Sequence, residues 1–236
     1  MRSTQERRKG KYAKALLPSV SADLKKYNEI YLKFCQEGYT RTLAEMYAET
    51  FINEHKKPLP IDIVQAAELF DKIHDLSTAE FYLNMLDEKK MTIEEHFYYS
   101  IESLKTKSKL GHWRDAEDFR TEHINLMQKY SVKADMRENA DLYISLALTD
   151  CAAKKYTSAF RMLSSFGYKP QGANDTKLLE ILITGVYICS KSGIKEGLEG
   201  AVNNAKSCLK LFNNFEFKWS EEYYKKCIEE ATQGIL

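Results

Sequence analysis

Apolar residues recur along this chain at helical spacing, and short polar or glycine-containing breaks interrupt them at a regular beat. Ile63, Ala66, Ala67 and Phe70 fall at i, i+3, i+4 and i+7, on one face of a helix. Tyr143, Leu146 and Ala147 repeat that arrangement, as do Ile181, Thr184, Gly185 and Ile188. Tyr27, Ile30, Tyr31 and Phe34 form a bulkier version near the start. Each such helix is followed by a break and then a second helix, in which a small or apolar residue lies three positions after an opening one. The pairs are Leu76 with Ala79, Trp113 with Ala116, Tyr156 with Ala159, Ile194 with Gly197 and, more loosely, Thr40 with Leu43. Positions 43, 79, 116, 159 and 197 are 36, 37, 43 and 38 residues apart. Five turns on so even a beat predict five helix–turn–helix pairs, the second helix of each packed antiparallel on the first. Ala67 and Ala79 read as points of close approach. A glycine inside a helix costs about 1 kcal/mol relative to alanine, so Gly185 and Gly197 are expected where two helices touch.

Beyond the fifth pair, Asn213-Asn214 marks a break and Trp219-Ser220-Glu221-Glu222 opens a last helix. Ser220 is its expected N-cap, and Tyr223, Cys227 and Ile228 form its apolar stripe. A helix array needs its exposed end covered, which is the role expected of this segment. Composition agrees with an all-α fold. At 236 residues and 44% hydrophobic the chain can bury a core, while ten Gly and four Pro are too few for the many turns of a sandwich or barrel.

The pattern resembles the tetratricopeptide repeat family. Its G-x-[aromatic]-x-x-A turn stands out in Gly111, Trp113 and Ala116, and Tyr156 and Ala159 keep part of it. The resemblance implies a right-handed α-α superhelix of about five helix pairs plus a C-terminal capping helix. The expected segments are a basic arm over 1–20, pairs over about 21–58, 60–90, 93–130, 135–168 and 174–212, and a cap over 213–236. In solenoids of this family the first helices line a concave groove. Carried across, the groove-facing residues are Lys25, Asn28, Leu32 and Gln36, then Ile61, Val64, Glu68 and Asp71. They continue with Tyr98, Ile101, Lys105 and Lys109, then Asp141, Ile144 and Leu148, and end with Leu179, Leu182 and Val186. The first three sets are mixed and the last two apolar. Two readings of the apolar part stand side by side: an open groove taking a peptide by side-chain pockets, or one closed on the capping helix. Only Lys25, Asn28 and Lys105 hint at the basic clamp with which some members hold a partner's C-terminal carboxylate.

Charge changes the picture at one place. The chain has 35 Lys+Arg against 34 Asp+Glu, but Arg2, Arg7, Arg8, Lys9, Lys11 and Lys14 face a single acid, Glu6, within residues 1–14. This arm reads as a solvated tail, as a contact to RNA or an acidic partner, or as an organelle transit segment. The five cysteines lack any C-x-x-C spacing and read as reduced thiols of a cytoplasmic protein, and no stretch is long and apolar enough to insert into a membrane.

Chemistry is sparse. No phosphate-cradling glycine motif, H-E-x-x-H or G-x-S-x-G occurs. His112 and His123 share a helix face but stand about 16 Å apart along the axis, too far to hold one metal. Tyr and Phe lie among apolar neighbours, where packing accounts for them. No catalytic residue, cofactor or metal is therefore expected. The leading expectation is a non-enzymatic protein- or peptide-binding scaffold or adaptor in a larger assembly. The alternative is an RNA-associated subunit of a ribonucleoprotein anchored by the arm, with a peptide-sensing regulatory domain behind it.

Overall fold

The computed structural model describes residues 21–55, 57–170, 172, 175–212 and 215–236, with backbone alone over 21–24. Eleven α-helices and no strand occur among the described residues. In chain order they are α1 (Ser21–Glu37), α2 (Arg41–Ala48), α3 (Pro60–Lys72), α4 (Leu76–Leu83), α5 (Ile93–Lys109) and α6 (Trp113–Ser131). There follow α7 (Met136–Ala152), α8 (Tyr156–Ser165), α9 (Thr176–Ser192), α10 (Lys195–Lys210) and α11 (Ser220–Thr232). A π-helical turn, Glu49–Asn53, extends α2, and a short 3-10 turn, Glu88–Lys90, precedes α5.

Five tight turns join helices in pairs, and each holds one residue in the left-handed region: Gly38, His74, Gly111, Lys154 and Gly193, at φ 73°, 59°, 77°, 60° and 72°. They recur 36, 37, 43 and 39 residues apart, the same beat as the apolar pattern. The physical cause is local. A chain reversing between antiparallel helices within two or three residues needs one positive φ, which glycine supplies without a Cβ clash.

Helix starts follow from capping chemistry. Thr40 Oγ1 accepts from Leu43 N–H at 3.2 Å, and Pro60 occupies the first turn of α3. Thr92 and Glu95 cap each other's amides before α5, as do Asp135 and Glu138 before α7. The last helix departs from expectation. Ser220 is its first helical residue rather than its cap, because its N–H already donates to Phe217 O and Trp219 holds the helical-region cap position without a side-chain bond.

The chain divides into two compact units, Met1–Tyr99 and Ser100–Leu236. In the first, α1 packs on α2, α2 on α3 and α3 on α4. Ala66, Ala67 and Ala79 are wholly buried there, as close helix approach requires. In the second, α7 touches α6, α8 and α9, while α9 also touches α8, α10 and α11. One core runs through it, from Ile144, Ala147 and Leu148 of α7 through Leu179, Ile183 and Val186 of α9 to Tyr224 and Ile228 of α11. The final helix thus lays its apolar stripe on both members of the fifth pair. Ala116, Ala147 and Ala159 are buried close-approach points, but the two helical glycines are not. A Cβ on Gly185 would meet nothing within 4 Å, and one on Gly197 would find only ordinary contact with Ile194 and Cys189. The tight packing of the fifth pair falls instead to Ala205, which is fully buried.

Candidate partner-binding surface

The residues expected to line a groove meet three different fates. In the first unit, Lys25, Asn28, Leu32 and Gln36 form an exposed stripe along α1, with Leu32 57% exposed. The opposite side of α1 explains why: Tyr27 and Ile30 are the buried pair, and Tyr27 packs edge-on against Phe51. On α3 the register turns inward. Val64 and Asp71 are buried, Ile61 and Glu68 are half-buried, and Gln65 Nε2 donates to Glu68 Oε2 at 3.3 Å. Tyr98 is fully buried, its ring meeting Phe97 at 5.3 Å in a T-shaped contact.

In the second unit the candidates are mostly inside. Ile101 is fully buried, and Lys105 donates to the Glu102 carboxylate at 3.1 Å within the buried part of α5. Lys109 is half-buried in the last turn of that helix. Asp141 accepts from Lys177 Nζ at 2.8 Å, and the same ammonium reaches Glu180 at 2.5 Å. Ile144, Leu148, Leu179 and Val186 are core residues, with Leu182 packed against them, so no apolar groove remains at these positions. The reason is neighbour number: α7 lies against three helices, which leaves little of its circumference for solvent.

Ion pairs and hydroxyls stitch successive pairs together. Asp150, fully buried, accepts from Arg120 of α6 and from Ser158 Oγ of α8 at 2.6 Å. Lys155 bridges to Glu117, and Ser108 Oγ donates to Thr149 Oγ1 at 3.3 Å. Tyr168 donates to Asp175 at 2.5 Å; burial and then that carboxylate push its phenol well above the usual tyrosine range. These groups answer one another and hold helices in place.

Sequence reasoning missed two features. Ser100 and His123 share a hydrogen bond of 3.0 Å, with the imidazole stacked 3.9 Å from the Phe119 ring. Such a pair is the beginning of a nucleophile–base arrangement, but both residues are buried, so no substrate can reach the hydroxyl. The second is Trp113. The aromatic of the turn motif is 44% exposed, and the Arg114 guanidinium lies 5.3 Å from its ring centre. No pattern of spacing distinguishes an exposed turn aromatic from a packed one.

All five cysteines are free thiols. Burial pushes Cys151 up to about 11 and raises Cys189, which makes both poor nucleophiles. No helix among the described residues is long and apolar enough to cross a membrane. Arg2, Arg7, Arg8, Lys9, Lys11 and Lys14 lie outside the described residues. Comparison of the chain with protein-family models, with curated proteins and with solved structures finds no match.

Proposed function

We propose that this chain is a non-enzymatic helical-repeat scaffold that binds a protein or peptide and acts as a subunit of a larger assembly. In this reading the five pairs wind as a tetratricopeptide-like right-handed superhelix in the reducing cytoplasm. The observation that carries it is the five-fold turn with its left-handed residue, which organises the chain as repeated hairpins. Repeats of this kind present extended surfaces rather than a single reactive centre.

The open part of the expected groove is the α1 stripe, Lys25, Asn28, Leu32 and Gln36. An apolar side chain flanked by polar ones, at helical spacing, suits the apolar face of a partner helix. The test uses the full-length chain and its Leu32→Asp variant as baits, with and without RNase. Leu32 is exposed, so the variant is expected to keep wild-type stability within about 0.5 kcal/mol while losing a defined protein partner that RNase leaves in place. Equal recovery of that partner by both baits would remove α1 from the binding surface.

A second reading has a charge observation of its own. Six basic residues against one acid in residues 1–14 suit an RNA-associated subunit anchored by its arm. It requires salt-sensitive RNA binding that disappears when the arm's six basic side chains are neutralised.

A further inference from the structure

The turns that join paired helices in the second unit concentrate positive charge. Residues 107–117, 153–156 and 191–196 hold seven basic and three acidic residues, in a chain with 35 and 34 overall. Residues 131–138, at the other end of α6 and α7, are balanced at two and two. The three basic turns lie side by side. The Ser108–Thr149 hydrogen bond and the Lys155–Glu117 ion pair join the first to the second. The second and third follow helices α7 and α9, which pack directly on each other with Cys151 and Tyr187 in one core, and Lys191 acts electrostatically on the Cys151 thiol. Helices α7 and α9 also start in register, through Lys177–Asp141 and Arg137–Thr176, and have equal length, so their C-terminal ends align.

Arg114, Lys154, Lys191 and Lys195 are exposed along this edge. A lysine in the last turn of a helix is explained by the helix dipole, and Lys191 is of that kind. Lys154 is not. It occupies the left-handed position of its turn, at φ 60°, where the neighbouring turns carry Gly111 and Gly193. A lysine there is a strained choice for the fold and places an ammonium in the middle of the row. Beside the row stands Trp113, the half-exposed aromatic of the first turn.

We propose that this edge binds the phosphate backbone of a single-stranded nucleic acid, with Trp113 as the platform on which a base stacks. A basic track next to an exposed aromatic is the arrangement that such strands require. The surface shares no residue with the α1 stripe or with the N-terminal arm.

The experiment titrates the full-length protein into a short fluorescein-labelled single-stranded RNA of mixed sequence at several salt concentrations. It follows anisotropy and tryptophan emission. Lys154→Gly is the informative variant, because it is expected to raise the melting temperature while weakening binding severalfold. It should also flatten the slope of log K against log salt by about 0.7. Lys195→Gln should weaken binding similarly, and Trp113→Ala should abolish the quenching of tryptophan emission, the protein having one other Trp, the half-buried Trp219. Unchanged affinity in the Lys154→Gly, Lys195→Gln double variant overturns the proposal. So does binding lost only when Arg7, Arg8, Lys9 and Lys11 are neutralised, which assigns the contact to the arm. Competition by polyglutamate as effective as that by RNA also overturns it, in favour of an acidic protein partner.

Discussion

Asp75 caps α4 and ties it to the preceding helix pair. Its Oδ1 accepts from Thr78 N–H at 3.3 Å and from the Ser77 hydroxyl at 3.2 Å, while Oδ2 accepts from Arg41 at 2.5 Å. Burial pushes this carboxyl up, but the hydrogen bonds from Thr78, Arg41 and Ser77 together outweigh burial and hold it below the usual carboxylate range. A depressed carboxylate contributes stability that is present above its unfolded value of about 3.9 and is lost as pH falls through its folded value. Asp75→Ala is therefore expected to cost about 1 kcal/mol near pH 7. In urea unfolding the gap between variant and wild type should begin to narrow below about pH 4, where the carboxyl of the unfolded chain takes up its proton, and go on narrowing as pH falls through the lower folded value. A gap of the same size at pH 3 and pH 7 would assign the loss to something other than the charged cap. Lys105 shows what residue-level reading misses. The register carried across placed it in a groove, yet it lies buried; its pairing with Glu102, one turn away on the same helix, is local, and only the burial comes from the surrounding helices.

At the scale of elements, the turns were legible and the contacts between helices less so. Gly38, Gly111 and Gly193 announce positive φ in the sequence, and the apolar beat around His74 and Lys154 located the two turns that lack glycine. Gly185 was misread for a physical reason. Glycine in a helix is unfavourable everywhere, so its presence says that something outweighs the cost or that nothing selects against it, and spacing cannot tell which. Space around Gly185 and Gly200 is open, and neither has a positive φ. Gly185→Ala and Gly200→Ala are each expected to stabilise the fold by about 1 kcal/mol. Thermal melts of the single and double variants check this, with the double showing the sum because a methyl added at either site meets nothing within 4 Å and so has no partner to share with the other. A destabilised Gly185→Ala would mean that the α9 backbone is approached more closely than the structure has it.

For the whole molecule, the burial of its thiols offers a readout of global opening. Cys151 and Cys189 are buried with raised values, whereas Cys35, Cys208 and Cys227 are half-buried. A native-state titration with a thiol reagent is expected to leave Cys151 and Cys189 unmodified until denaturant unfolds the chain, with Cys35 among the earlier residues to react. Early labelling of Cys151 would place the α7–α9 core among the least stable parts of the protein.

Helix existence, the five-fold beat, the close-approach alanines and the apolar stripe of the last helix were all determined by the sequence itself. Each depends on residues within one or two turns of one another, where the i to i+4 geometry of the helix sets which side chains share a face. Which of those faces meets solvent was decided only by the tertiary structure. Val64, Tyr98, Ile101, Ile144 and Leu148 carry the register of a groove but lie within the packed interior, while Leu32 and Trp113 remain outside. Burial is the sum of every neighbour a helix acquires, and those neighbours come from segments tens of residues away that no local pattern encodes.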